Sequence, residues 1–98
     1  MPTHDDVRNN LAANRYELDT EKGTAFSEYQ RRDGAIAFTH TVVPKAIEGH
    51  GIASQLIASA LADVRAQGLK VIPLCEFVAA YMQRHPEEQD LLAGRASG

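Results

Sequence analysis

The sequence predicts a small α/β domain of the α+β kind: an antiparallel meander of three strands, then helix, strand and helix, joined in one mixed sheet. Three observations carry that expectation. Residues 15–43 alternate polar and apolar positions between short turn signals, the period of half-buried strands. From Ile52 the period changes to 3.6, with Ile52, Leu56, Ala60 and Val64 on one stripe and Ala53, Ile57 and Leu61 beside it. A strand then follows that helix, and a strand–helix–strand crossover makes a parallel pair, which beside a meander gives a mixed sheet.

The elements follow in order. Residues 1–14 are rich in Asn and Asp, show no sustained period and read as a loose lead-in. Arg-Tyr-Glu-Leu-Asp at 15–19 is the first strand, and residues 20–24 form a turn around Gly23. Residues 25–31 are a second strand carrying Phe26 and Tyr29, and Asp33-Gly34 is a hairpin signal. The third and longest strand spans 35–43, with Ile36, Phe38, His40 and Val42 expected on one face and Ala35, Ala37, Thr39, Thr41 and Val43 on the other. Pro44 ends it for want of a ladder donor. The long helix runs from Ile52 to a cap at Gly68. Residues 70–75 are a short strand interrupted by Pro73, suited to an edge or a bulge. Residues 76–84 form a second helix packing Phe77, Val78, Ala80 and Tyr81, ended by His85-Pro86, after which a polar tail fades out. The expected organisation is therefore one domain over 15–92, with a flexible tail at 93–98.

Composition narrows the function classes. The 98 residues leave room for one domain, whose core is small enough for dimerisation or a ligand to contribute to stability. Ten Lys and Arg against 13 Asp and Glu give a net charge of −3, which disfavours a dominant basic surface for nucleic acid. Cys75 stands alone, so no intramolecular disulfide is expected, and no Cys/His spacing suits zinc. No apolar run approaches a membrane span, and the first ten residues lack a signal-peptide pattern. These features predict a soluble, cytoplasmic protein, monomeric or weakly dimeric, with no metal, membrane or nucleic-acid partner.

The informative segment is VVPKAIEGHGIAS, residues 42–54. It puts Gly49 and Gly51 where a strand has ended and an amphipathic helix begins. The first amides of a helix have no acceptor within it, and the macrodipole adds about half a positive charge there. Glycines let an anion reach those amides without interference from Cβ, which makes a phosphate cradle. On spacing alone, a plain strand-to-helix connection explains the same two glycines. A P-loop and a dinucleotide fingerprint are both excluded, since neither Gly-Lys-Ser/Thr nor a third glycine is present.

Taken with its neighbours, this string resembles the acetyl-CoA diphosphate loop of the GCN5-related N-acetyltransferases, and in particular very small stand-alone members of that family. The matching pieces are Arg15-Tyr16-Glu17-Leu18, Phe38-Thr39-His40-Thr41, Val43-Pro44, Gly49-His50-Gly51-Ile52-Ala53-Ser54, and the stretch from Pro73-Leu74-Cys75 to Leu91. They span roughly residues 7–92 in the family's order and spacing. Three positions depart from the pattern. Ala46 stands where the broad family has Gln or Arg, Glu76 replaces a Pro, and Glu48 sets a carboxylate beside the presumed diphosphate. Exposed like charges at that range cost on the order of 1 kcal/mol or less, and Lys45 and His50 are placed to offset it.

The resemblance implies a minimal fold of that family and an acetyl-CoA-dependent N-acetyltransferase. Its cofactor residues would be Thr41, Val42 and Val43 for pantetheine and Glu48, Gly49, His50, Gly51, Ile52 and Ala53 for the diphosphate. A neutral amine would attack the thioester while a backbone N–H on the third strand holds the oxyanion. Three residues are candidates for the chemistry, each with a plainer alternative. Tyr81 would protonate the departing thiolate, or be a half-buried core ring. His40 would take the amine proton, as imidazoles do near neutral pH, or be a structural residue beside Phe38. Cys75 would be a nucleophile in a ping-pong route, or a small buried hydrophobe with no base beside it in sequence. The acceptor would be a small amine or a peptide or protein, since a chain this short has no room for the helices and strands that wall the acceptor pocket in larger relatives. The alternative to an enzyme is an acyl-CoA-binding module without transfer chemistry, or an interaction domain using only the fold.

Overall fold

The computed structural model describes residues 7–94. Its elements are β1 (Val7–Asn10), β2 (Arg15–Thr20), β3 (Gly23–Arg32), β4 (Ala35–Val42), α1 (Ile52–Ala66), β5 (Lys70–Pro73) and α2 (Glu76–Arg84). Short 3₁₀ segments at Lys45–Ile47 and Pro86–Leu91 complete it. The sheet is mixed, in the order β1-β2-β3-β4-β5: the first four strands are antiparallel neighbours, and β5 returns parallel to β4 after the α1 crossover.

The meander has four strands rather than three. Residues 1–14 were expected to be a loose lead-in, yet Val7–Asn10 pairs with Leu18–Arg15. Only Val7 in that stretch is strongly apolar, so the strand has no alternation to announce it. It is held by side chains instead: the buried Glu17 carboxylate accepts from Arg8, Asn10 and Arg15. The Tyr29 hydroxyl donates to Asn9 at 2.6 Å. The C-terminal end also departs from expectation. In place of a fading tail, Pro86–Leu91 buries Leu91, and Leu92 bridges to Val71 on the free edge of β5. Arg65 clips this segment to α1 through Asp90 at 2.7 Å and Glu88 at 3.0 Å. The first six residues of the expected lead-in and the last four of the expected tail lie outside the described residues.

One core unites both helices with the sheet. Leu56, Ile57, Leu61 and Val64 of α1 and Val78 and Met82 of α2 meet Tyr16, Leu18, Tyr29, Ile36 and Phe38. Tyr16, Tyr29 and Phe38 form an aromatic cluster with centroids 5.4–6.3 Å apart. Aligning polar groups at its rim keeps burial cheap: the Tyr16 hydroxyl donates to Asp63 at 2.6 Å. Burial first, and then that carboxylate, raise the Tyr16 phenol well above its ordinary range, so it remains a donor.

The departure that matters most for the site lies in β4. Tyr29 pairs with Phe38 but Glu28 pairs with His40, so Thr39 is an extra residue, a β-bulge. The bulge breaks the period-2 faces expected from sequence. Ile36 and Phe38 point into the core, but His40 and Val42 do not share their face. His40 stands opposite Glu28 in solvent, its side chain 73% exposed, and Val42 is also exposed. Thr41 takes the core side instead, its hydroxyl 3.0 Å from that of the buried Ser27.

Candidate functional site

The bulge coincides with the point where β5 leaves. Pairing between β4 and β5 ends at Phe38 and Pro73. One last backbone bond, from the Cys75 amide to the Phe38 carbonyl at 2.9 Å, turns the chain into α2. Beyond it, β4 runs on to Val42 with no strand on that side. The resulting splay opens into a cavity of about 440 Å³.

Its walls come from three places. Thr41 and Val43 line it from the end of β4, and Phe77 from the first turn of α2. Ile47 and Glu48 line it from the connecting segment, and Gly49, Gly51, Ile52, Ala53 and Ser54 from the loop and first turn of α1. Pro44 starts the short Lys45–Ile47 turn, which buries Ile47 as the loop's anchor. Gly49 and Gly51 then take left-handed conformations at φ 82° and 74°. Each would carry a Cβ into open space, with nothing within 4 Å, so the glycines are demanded by backbone conformation and leave the volume above them clear. Gly51 is the N-cap of α1 and offers no side chain to it. The first helical bond runs from Gln55 N–H to Gly51 at 3.0 Å, so the amides of Ile52, Ala53 and Ser54 have no acceptor within the helix.

This arrangement suits a chain-like ligand with an anionic end. Three free amides and the positive end of a 15-residue helix face the cavity floor. Ile47, Ile52 and Phe77 supply apolar wall. The Glu48 carboxylate on the rim works against the anion, as the sequence suggested.

Of the residues singled out from sequence, the structure gathers Thr41, Val43, Glu48, Gly49, Gly51, Ile52 and Ala53 around the cavity. Val42 points to the opposite side of β4, and His50 lines a neighbouring cavity. The three chemical candidates lie off the cavity wall. His40 is in solvent on the far face of the sheet, 3.7 Å from Glu28. Cys75 is buried behind Thr41, its thiol donating to the Thr41 hydroxyl at 3.4 Å, which joins it to Ser27. Tyr81 is one turn along α2 from Phe77, buried and stacked on His85 with centroids 4.1 Å apart. Burial, then Glu88 and Glu87, hold the Tyr81 phenol above its usual range. Ile47, Ser54 and Phe77 were not foreseen. Ser54 is legible in the sequence all the same, because the first amides of a helix lack an acceptor within it and Ser54 is the last residue before Gln55, which makes the first helical bond. Phe77 looked like core by its helical position, and only the splay reveals its second role.

Among the described residues no group of His, Cys, Asp and Glu is arranged to hold a metal ion, and no helix is long and apolar enough to cross a membrane. A family model described as GCN5-related N-acetyl-transferase matches residues 15–91. The solution structure of a GCN5-like protein from Staphylococcus aureus superposes with a TM-score of 0.70 at 22% identity, covering 98% of this chain and 95% of that one. At that identity the likeness speaks for the fold, including the mixed sheet with its helices. No curated protein matches the chain.

Proposed function

The chain belongs to the GCN5-related N-acetyltransferase family, and from that premise we propose that it binds acetyl-CoA and passes the acetyl group to an amine by direct attack. The observation that carries this reading is the floor of the cavity, where three unbonded amides lie beneath two glycines with clear space above them. In this reading the amides of Ile52–Ser54 and the loop at Gly49–Gly51 hold the diphosphate. The unpaired edge of β4 at Thr41 and Val42, with Val43 just beyond it, offers backbone groups to the pantetheine arm and an N–H to the oxyanion. Ile47 and Phe77 shield the arm from water. Catalysis is then mainly alignment of amine and thioester. Tyr81, kept protonated by its surroundings, supplies the proton to the departing thiolate.

A second reading, a binding module for CoA thioesters without efficient transfer, is favoured by one observation: none of Tyr81, His40 and Cys75 lines the cavity. Two measurements separate the readings. Isothermal titration with acetyl-CoA is expected to give saturable binding that Gly51→Val abolishes, because a β-branched residue at φ 74° is strained and its methyls fill the cradle. Unaltered binding by that variant would rule the cradle out. Thioester loss against a panel of amines and peptides is expected in the parent. Tyr81→Phe should slow it about 10- to 100-fold without changing affinity, and an undiminished rate returns Tyr81 to a packing role.

A further inference from the structure

A second cavity of about 330 Å³ lies across the connecting loop from the first, and Ile47 and Ile52 belong to both, as the partition between them. Its far wall is the β2–β3 turn with Glu21 and Lys22, and His50 projects to it from between the two cradle glycines. Resting on the coenzyme A reading above, we propose that this cavity receives the 3′-phosphate of the nucleotide and that Lys22, with His50, reads it.

Coenzyme A carries a phosphomonoester on the same ribose whose 5′ carbon bears the diphosphate. With the diphosphate on the first turn of α1, that second anionic group comes to rest within one sugar ring of the loop. On the side of the first cavity it would meet the Glu48 carboxylate. On the other side it meets two cationic or proton-accepting side chains that, among the described residues, have no carboxylate partner. Arg8 and Arg15 of the meander are engaged with Glu17 and Asp19, and of the cations outside such pairs Lys22 is the one that lines this cavity.

Lys22 is also held in place at its backbone. The Thr20 hydroxyl accepts from the Lys22 N–H at 3.2 Å and donates to the Gly23 carbonyl at 2.8 Å. Gly23 in turn lies against the loop: a Cβ there would stand 3.1 Å from Pro44 Cγ. The turn is thereby fitted to the segment that leads into the cradle. Glu21 lines the same cavity and opposes the phosphate, which keeps the expected preference modest.

The test compares coenzyme A with dephospho-coenzyme A, which lacks only that phosphate, by isothermal titration of the full chain. The parent is expected to bind coenzyme A about 3- to 10-fold more tightly, the range of one or two exposed charge contacts, with a preference that shrinks as salt rises. Lys22→Ala is expected to bring the ratio close to one, Lys22→Glu to invert it, and Glu21→Gln to widen it. Thermal unfolding of each variant checks that the turn is intact. Equal affinities in the parent, or a preference that survives Lys22→Glu, overturn the inference while leaving the cradle standing. If neither ligand binds, the coenzyme A reading fails and this inference with it.

Discussion

The two sides of the sheet treat their polar groups in opposite ways. In the meander of β1–β3 they are spent on the protein itself: Glu17 answers Arg8, Asn10 and Arg15, the Tyr16 hydroxyl answers Asp63, and that of Tyr29 answers Asn9. Where β4 and β5 part, they are left over. The edge of β4 past Phe38 has no strand beside it, and the first amides of α1 have no acceptor within the helix. Both sides share one core, so the difference is not one of general quality of packing. It shows that a site can be made by stopping a regular structure early, provided that the rest of the molecule is satisfied enough to bear the incompletion.

The boundary between the two regimes is Phe38, and it gives the largest expected effect. Phe38→Ala removes a side chain with no exposed surface from the aromatic cluster and is expected to cost about 3–4 kcal/mol in denaturant unfolding. A much smaller loss would mean that the splayed end can collapse into the gap, and that the two regimes are less separate than they look.

Next comes the satisfied side. Glu17→Gln is expected to cost about 1–2 kcal/mol at neutral pH, from weakened charge-assisted hydrogen bonds. Its pH dependence is specific. The bond from Arg15, then those from Asn10 and Arg8, hold the folded carboxyl below its ordinary value of 4.5. A depressed folded value means that the stabilisation is present above about that pH and is lost as pH falls through the lower, folded one. The parent and Glu17→Gln should therefore differ in neutral solution and converge in acid. A gap that persists at low pH would assign Glu17 to shape rather than charge.

The smallest effect belongs to the outer face of the splayed half. His40→Ala, at a largely solvated side chain, is expected to change stability by less than about 0.5 kcal/mol. It should leave coenzyme A affinity as it was. A lost affinity would show that this face is not as remote from the cleft as the pairing of His40 with Glu28 makes it.

Most of the frame could be read in the chain beforehand, because it rests on local signals. The Asp33-Gly34 hairpin, the 3.6 period of α1 and the glycines at 49 and 51 each express a constraint within a few residues. What escaped reading depends on partners distant in sequence. Val7–Asn10 becomes a strand because Glu17 and Tyr29 bind its polar side chains. Thr39 becomes a bulge only when β3 is laid beside β4, and alternation counted along one strand cannot find it. That single residue turns His40 and Val42 to the face opposite Phe38, where alternation along the strand expects them beside it.

The Thr39 bulge also bears on how such a cleft could be lost or gained. Removing that residue would restore an unbroken ladder between β3 and β4 without exchanging any side chain from one face to the other, since Glu28 already sits across from His40 and Ser27 across from Thr41. The strand would simply straighten. The parting of β4 from β5 is set separately, by β5 ending at Pro73 and giving way to α2, so a Thr39 deletion would ask whether bending one neighbour is needed to keep the cleft open or whether an early end to the other suffices.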